Sequence, residues 1–206
     1  MIVKTLILGI FDTNCYIVGK DGNCVIIDPA DNGNKINSTI EKLQLKPVAI
    51  LLTHSHFDHI LAVPDIRNHW GDIPVYCNEL DCSDKMHEIF MGKQYPTVSS
   101  FGDVTHYSEG DIVDAKTFKV KVLHTPGHSE GSVILEIENL LFTGDTLFKG
   151  TIGRVDFEGG DSYKMKESLK RLAKLPKDYQ VFPGHEEPST LEHEKKTNPH
   201  LTGYKK

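Results

Sequence analysis

The segment THSHFDH, residues 53–59, most constrains what this chain can fold into, because it carries three histidines and one aspartate within six positions. So many titratable side chains on one short turn repel one another or lose solvation unless something binds them. Neutral imidazole and carboxylate are natural ligands of metal cations. The segment therefore predicts a metal site.

Strand-like and helical segments are interleaved along the chain. Helical patterns cover residues 34–45 and 163–175, and Asp161 or Ser162 can cap the second of them. Short runs of apolar and β-branched residues predict the strands MIVKTLIL, CYIV, CVIID, VAILL, IPVY, FKVKVL, SVILEI, LLF and QVF. This order predicts an α/β sandwich with its sheets inside and its helices outside.

Four of the predicted strands end in a histidine or aspartate beside glycine, proline or a turn. They lead into THSH at 53–56, HTPGH at 124–128, TGD at 143–145 and PGH at 183–185. Ligands of sheet proteins gather where strand ends open into loops, and glycine lets the backbone turn sharply there. We therefore expect the four exits to converge on one site.

The spacing within the first segment indicates two binding positions. His54 and His56 share a face of extended backbone, so both imidazoles can point at one ion. Asp58 and His59 follow, with Asp58 expected in the first turn of a helix through HILAVPDI, residues 59–66. They would point at a second position, as in two-metal sites whose ions lie about 3.5–4 Å apart.

These motifs together resemble a known superfamily. The pattern T-H-x-H-x-D-H, followed in order by T-P-G-H, T-G-D and P-G-H, is similar to that of the metallo-β-lactamase superfamily over residues 1–201. The resemblance implies an αββα four-layer sandwich. The stretches TNCYIV, HTPGHSEGS, FTGDTLFKGTIGRVDF and PSTLEHEKKTNPHL further resemble the glyoxalase II (hydroxyacylglutathione hydrolase) branch.

The resemblance also implies a ligand set for two divalent ions. Zinc is the expected metal, with iron or manganese as alternatives, because His/carboxylate sites accept each according to supply. His124 is the nearest rival to His128, but it lies at the strand end rather than in the turn. The implied ligands are His54, His56 and His128 for the first ion, Asp58, His59 and His185 for the second, and Asp145 for both.

The implied activity is hydrolysis of a thioester such as lactoylglutathione by a bridging hydroxide, which Asp58 would orient. Arg154, in IGRVDF, resembles the position of a basic substrate contact, although a surface salt bridge explains it equally well. Two alternatives share the fold: a mononuclear iron oxidoreductase similar to persulfide dioxygenases, and a lactone hydrolase.

Composition narrows the partners to a small-molecule substrate. The net charge of −6 argues against a nucleic-acid binder, which normally presents a basic face. No apolar run approaches the roughly 20 residues that span a bilayer.

Asp12 and Asn14 follow the apolar start too closely for a signal peptide, so we expect a cytoplasmic protein with four free thiols. A zinc site at Cys77 and Cys82 is a weaker alternative.

The chain is predicted to form a single domain over residues 1–206. Only 21 residues follow His185, so we expect no separate C-terminal helical domain and weak discrimination for glutathione. Residues 78–101 are expected to form a helix and loop. Their apolar side chains could roof the site or simply pack: Met86, Ile89, Phe90 and Tyr95. The oligomeric state is not indicated.

Overall fold

A computed structural model of the protein describes residues 1–82, 89–90, 93–94, 98 and 102–204. The helices in this part of the chain are α1 Gly33–Lys42, α2 Val63–Trp70, α3 Ser162–Ala173 and α4 Leu191–Thr197. The strands are β1 Ile2–Leu8, β2 Thr13–Lys20, β3 Asn23–Ile27, β4 Lys46–Leu51, β5 Val75–Cys77, β6 Ile89–Phe90, β7 Lys93–Gln94, β8 Val104–His106, β9 Ile112–Ala115, β10 Phe118–His124, β11 Val133–Ile137, β12 Leu140–Gly144, β13 Gln180–Pro183 and β14 Ser189–Thr190.

Two six-stranded sheets form the centre of the molecule. The first has the order β1-β2-β3-β4-β5-β8 and the second β14-β13-β12-β11-β10-β9. Alternate residues of each strand face opposite sides. Val25 and Ile27 of β3 therefore pack between the sheets, while Cys24 and Ile26 pack outward against α1 and α2. On the far side, α3 covers the second sheet. The predicted αββα four-layer sandwich is confirmed.

The two predicted helices form as amphipathic elements with local caps. The Asn32 side chain accepts a hydrogen bond from Lys35 N at the start of α1, which buries Ile36 and Ile40. Asp161 accepts from Tyr163 N and Lys164 N at the start of α3. A capping side chain satisfies backbone N–H groups that have no partner within the helix.

The prediction that Asp58 lies in the first turn of a helix through residues 59–66 is wrong about where that helix begins. Asp58 lies in a separate 3₁₀ turn, Phe57–His59, and α2 begins only at Val63. Pro64 fits this start, since proline has no backbone N–H to donate and favours the first turn of a helix. The separate turn points Asp58 and His59 inward while α2 runs along the outer face.

The expectation of four free thiols is also wrong. Cys77 and Cys82 form a disulfide with their Cα atoms 6.1 Å apart. The turn after β5 folds back on itself and brings the two sulfurs together, which sequence spacing alone does not specify. The bond also excludes the alternative zinc site at these residues. Cys15 and Cys24 are free and buried, as expected.

The predicted helix and loop over residues 78–101 is described only in part. Strands β6 and β7 pair antiparallel inside it, and Ile89 and Phe90 form β6. Met86 and Tyr95, two of the proposed roof residues, lie outside the described residues. Among the helices that the structure describes, each is too short or too polar to cross a membrane.

Candidate metal centre

The candidate site lies where strand ends of the two sheets meet. Strands β3 and β4 are parallel, as are β12 and β13, so within each pair the carboxyl ends open at one edge. Backbone hydrogen bonds join the sheets there: Val133 N donates to Thr53 O at 2.8 Å, and Asn14 N donates to Gly184 O at 2.7 Å. The predicted convergence of strand exits is therefore present.

The first triad consists of His54, His56 and His128, whose nearest ring nitrogens all lie within 4.8 Å of one another. The Nδ1 atom of His56 is 2.8 Å from the Nε2 atom of His128. His54 and His56 follow β4 of the first sheet, and His128 lies in the loop after β10 of the second. The triad thus assembles only when the sheets pack together.

The second triad consists of Asp58, His59 and His185, again with ligand atoms within 4.8 Å of one another. Asp58 Oδ2 lies 3.6 Å from His59 Nε2 and 3.4 Å from His185 Nε2. Thr13 Oγ1 donates a hydrogen bond to the same carboxylate oxygen at 2.9 Å.

Asp145 lies between the triads, directly after β12. Its Oδ2 atom is 3.4 Å from His128 Nε2 and 3.5 Å from His185 Nε2, and its Oδ1 atom is 3.6 Å from His59 Nε2. One carboxylate therefore faces histidines of both triads. The structure brings together all seven residues that the sequence nominated as ligands.

The outer ring nitrogens of four histidines are already occupied. His128 Nδ1 is 2.8 Å from Arg154 O, and His185 Nδ1 is 3.0 Å from Phe11 O. Such contacts fix the orientation of each ring and leave its Nε2 atom facing inward. The other two contacts are His54 Nδ1 to Thr53 Oγ1 at 3.1 Å and His59 Nδ1 to Asp28 Oδ2 at 3.1 Å.

The inward-facing atoms fit metal ions better than hydrogen bonds. His54 Nε2, His59 Nε2 and Asp145 Oδ1 are buried and have no hydrogen-bond partner among the described residues. Burying such groups unpaired is costly, whereas a cation would satisfy all of them. Gly184 leaves the necessary space, because a Cβ atom there would lie 2.1 Å from Asp145 Oδ1. The residues present fit a two-metal centre.

Electrostatics differ between the two triads. Burial, followed by the neighbouring imidazoles, lowers the pKa of His54 well below its usual value and that of His56 to about 3. These rings are therefore neutral, which is the form that binds a metal. No proton has to be displaced from them at neutral pH.

The second triad attracts positive charge. Burial lowers the pKa of His59, but Asp58 and Asp145 outweigh it and raise that pKa to about 9. Burial also opposes protonation of His185, yet the same two carboxylates raise its pKa to about 10. Without a metal these rings hold protons, and divalent ions would supply the same charge.

Asp28 is a member of the site that the sequence analysis missed. Its Oδ1 accepts from Thr53 N at 2.7 Å, and its Oδ2 accepts from Thr53 Oγ1 at 2.6 Å and lies 3.1 Å from His59 Nδ1. Asp28, His54 and His59 also cluster closely enough to hold an ion. We assign Asp28 to orientation instead, because these neighbours already occupy both of its oxygens. The signal was present, since CVIID is another strand that ends in aspartate.

Arg154 touches the centre through its backbone rather than its side chain. Its carbonyl binds His128, while its guanidinium pairs with Asp156 at 2.7 and 2.8 Å and lies 3.8 Å above the Phe157 ring centroid. Phe157 in turn stands 6.0 Å from the His56 ring. His124 faces Glu130 O at 2.8 Å, away from the cluster.

Comparison with known proteins shows which family the chain belongs to. A family model described as the metallo-beta-lactamase superfamily matches residues 8–185. The hydroxyacylglutathione hydrolase GloC of Haemophilus influenzae is 34% identical over 93% of each chain. The crystal structure of BLEG-1, a B3 metallo-beta-lactamase, is 35% identical with a TM-score of 0.85, covering 98% of this chain and 100% of that one.

The crystal structure of TTHA1623 in a di-iron-bound form is 37% identical, also with a TM-score of 0.85, and covers 97% of this chain and 100% of that one. The matched residues span every strand exit that supplies the cluster, from the first sheet to His185. This chain belongs to the metallo-beta-lactamase superfamily of metal-dependent hydrolases.

Proposed function

We propose that the protein is a dinuclear metal-dependent thioester hydrolase that acts on hydroxyacyl thioesters such as lactoylglutathione. The observation that carries the proposal is the position of Asp145, whose two oxygens lie 3.4 to 3.6 Å from histidines of both triads. The similarity to GloC supports the substrate class.

In this proposal Asp145 would be a ligand of both ions, and each triad would hold one of them. Zinc is the proposed metal, with iron or manganese as alternatives, since nitrogen and carboxylate ligands accept all three. Of the similar proteins, TTHA1623 has a di-iron-bound form. The first ion is assigned to His54, His56 and His128, and the second to Asp58, His59 and His185.

Two ions held there would lower the pKa of a bound water molecule and polarise a carbonyl group. Asp58 is suited to orient that water, because Thr13 holds its Oδ2 atom at 2.9 Å and fixes the carboxylate. Burial raises the pKa of Asp58, but His59 and His185 bring it down to about 2, so it remains an acceptor at neutral pH.

Water is the proposed nucleophile because nearby hydroxyl groups already form hydrogen bonds with other side chains. Ser129 and Ser132 lie 2.5 Å apart through their Oγ atoms, and Ser129 also donates to Asp81 at 2.7 Å. Thr125 and Thr146 pair with each other at 3.0 Å. A thiolate leaves without help from a strong acid, so a thioester suits this centre better than an amide.

Aromatic rings flank both triads and could contact the acyl group. Phe157 stands beside the first triad, and Phe148 lies 6.0 Å from the His185 ring. Arg154 covers Phe157 and carries an exposed guanidinium. We propose that it attracts an anionic substrate, exchanging part of its ion pair with Asp156 for the substrate carboxylate.

The test combines metal analysis with a substrate panel. Protein purified without added chelator is assayed anaerobically for two ions per chain and for turnover of lactoylglutathione and a truncated thioester lacking the γ-glutamyl group. A lactone, a β-lactam and a persulfide complete the panel, the β-lactam because of the similarity to BLEG-1. The persulfide is also assayed in air, where one iron per chain with oxygen uptake would replace the proposal with the mononuclear alternative.

Two variants sharpen the result. His185→Ala should lose the second ion and most hydrolysis, and full activity with one ion per chain contradicts the dinuclear centre. Arg154→Ala should lower kcat/KM roughly tenfold to a hundredfold for anionic thioesters, the value of a charge-assisted hydrogen bond of about 1.5–3 kcal/mol. Neutral thioesters serve as its control.

A small-molecule substrate and a cytoplasmic location stay predictions.

A further inference from the structure

The turn of residues 78–82, called here the Asp81 turn, follows β5 beside the first triad. Asn78 O accepts hydrogen bonds from Asp81 N at 3.1 Å and Cys82 N at 3.0 Å. Asn78 Nδ2 also donates to Tyr107 O at 3.2 Å. The disulfide between Cys77 and Cys82 closes the turn covalently. The turn is thus held at both ends, which limits how far Asp81 can move.

Asp81 contacts both loops that carry the first triad. Its Oδ2 accepts from Ser129 Oγ at 2.7 Å and its Oδ1 from Gly131 N at 2.8 Å, in the loop that bears His128. Its backbone carbonyl accepts a hydrogen bond from the hydroxyl of Ser55, which lies between His54 and His56. One residue therefore bridges the exits of β4 and β10, which belong to different sheets.

The loop around Gly131 is shaped for this contact. A Cβ atom at Gly131 would lie 2.7 Å from Asp81 Cγ and 2.8 Å from Asp81 N. Only glycine lets the backbone approach the carboxylate so closely. The aspartate is only partly exposed, and burial raises its pKa. A half-buried carboxylate with several donors is costly to leave unpaired, so it holds its donors firmly.

We propose that Asp81 is a positioning residue that fixes the spacing of the first triad, His54, His56 and His128. The proposal uses the ligand assignment above but not the substrate. In the described part of the chain, no hydrogen bond joins Asp81 to Asp58, His59 or His185. Its effect is therefore selective for one ion, whereas general damage to the fold would weaken both.

The test measures zinc affinity alone, by competition with a chromophoric chelator. His185→Ala removes a second-triad ligand and isolates the first ion, while His56→Ala isolates the second. Asp81→Ala is introduced into both backgrounds. We expect roughly a tenfold to hundredfold loss of affinity in the His185→Ala background, as for partners that orient ligands. We expect no change in the His56→Ala background.

Two further variants distinguish positioning from loss of structure. Asp81→Asn retains one acceptor oxygen and should recover part of the affinity lost in Asp81→Ala. Asp111→Asn is the matched control, since its carboxylate accepts from Ser108 N at 2.8 Å in an exposed turn. It should leave both affinities unchanged.

The outcomes separate this inference from the proposed function. Equal weakening in both backgrounds, or no weakening in either, overturns the positioning role of Asp81. If neither single-triad background binds zinc, the two triads do not hold their ions independently, and a positioning role selective for the first ion is overturned. Selective weakening of the first ion supports the inference whatever thioester the enzyme prefers.

Discussion

Asp28 Oδ2 lies 3.1 Å from His59 Nδ1, and both side chains are buried. The same carboxylate also holds Thr53 through its backbone N–H and its hydroxyl. Thr53 is the residue before His54. One aspartate at the end of β3 therefore orients a histidine of the second triad and anchors the loop that begins the first.

Asp28→Asn should therefore weaken both stability and metal binding. Replacing the charge removes charge-assisted hydrogen bonds, so we expect the free energy of unfolding to fall by about 1.5–3 kcal/mol in chemical denaturation. Zinc affinity at the second triad should fall roughly tenfold to a hundredfold, because His59 loses its orienting partner.

Asp21→Asn is the matched control for this substitution. Asp28 and Asp21 have nearly the same left-handed backbone, with φ of 47° and 49°, which asparagine tolerates. Asp21 is exposed, so its variant should retain wild-type stability and zinc affinity. Wild-type values for Asp28→Asn as well would show that the buried network does not orient His59.

Asp145→Ala should remove both ions together, because its carboxylate faces both triads. We expect the zinc affinity of each triad to fall by more than roughly a hundredfold. Removing a residue that only orients a ligand costs at most about a hundredfold, and Asp145 is assigned as a ligand. Asp114→Ala, an exposed carboxylate paired with Lys119, is the control. Two ions bound to Asp145→Ala with wild-type affinity would refute the bridging role.

Reduction of the Cys77–Cys82 disulfide should destabilise the protein. Closing so short a loop stabilises by about 2 kcal/mol in the chain-entropy model, and a phosphine reductant removes that contribution. Denaturant unfolding with and without the reductant measures the change. The Cys77→Ser/Cys82→Ser variant retains the buried thiols of Cys15 and Cys24, so it should not respond to the reductant. An equal response would assign the effect to another group.

The sequence contained most of the candidate site because its residues lie at strand exits, and hydrophobic patterning predicts strands. The segment around His54 and the exits before Asp145 and His185 needed no knowledge of sheet packing. Strand order was not derivable in this way, yet the motifs were sufficient to suggest that the exits meet.

What the sequence did not predict depends on contacts between loops. The positioning by Asp81 requires a turn after β5 to meet the loop of Gly131, and no local pattern encodes that meeting. The start of α2 was missed because the apolar residues 60–63 follow His59 directly and extend the helical pattern back to it. Pro64 marks the true boundary. Asp28 was missed although its strand ends in the same way as the others.

Gly184→Ala should disrupt the centre through space alone. A Cβ atom there would lie 2.1 Å from Asp145 Oδ1 and 2.8 Å from His59 Cε1, closer than real contacts permit. The backbone of Gly184 is outside the left-handed region, so the substitution adds a contact without backbone strain. We expect an overpacking cost of about 1–3 kcal/mol and loss of both zinc ions, since the displaced carboxylate serves both triads.

Gly203→Ala is the control, because nothing lies within 4 Å of a Cβ atom at that position and its backbone is equally unstrained. Zinc content, zinc affinity and denaturant unfolding are measured for both variants. If Gly184→Ala binds two ions as tightly as the wild type, the gap beside Asp145 is not needed for metal binding. Loss of zinc from Gly184→Ala but not from Gly203→Ala would show that the P-G-H turn supports the centre through its shape as well as through the ligand His185.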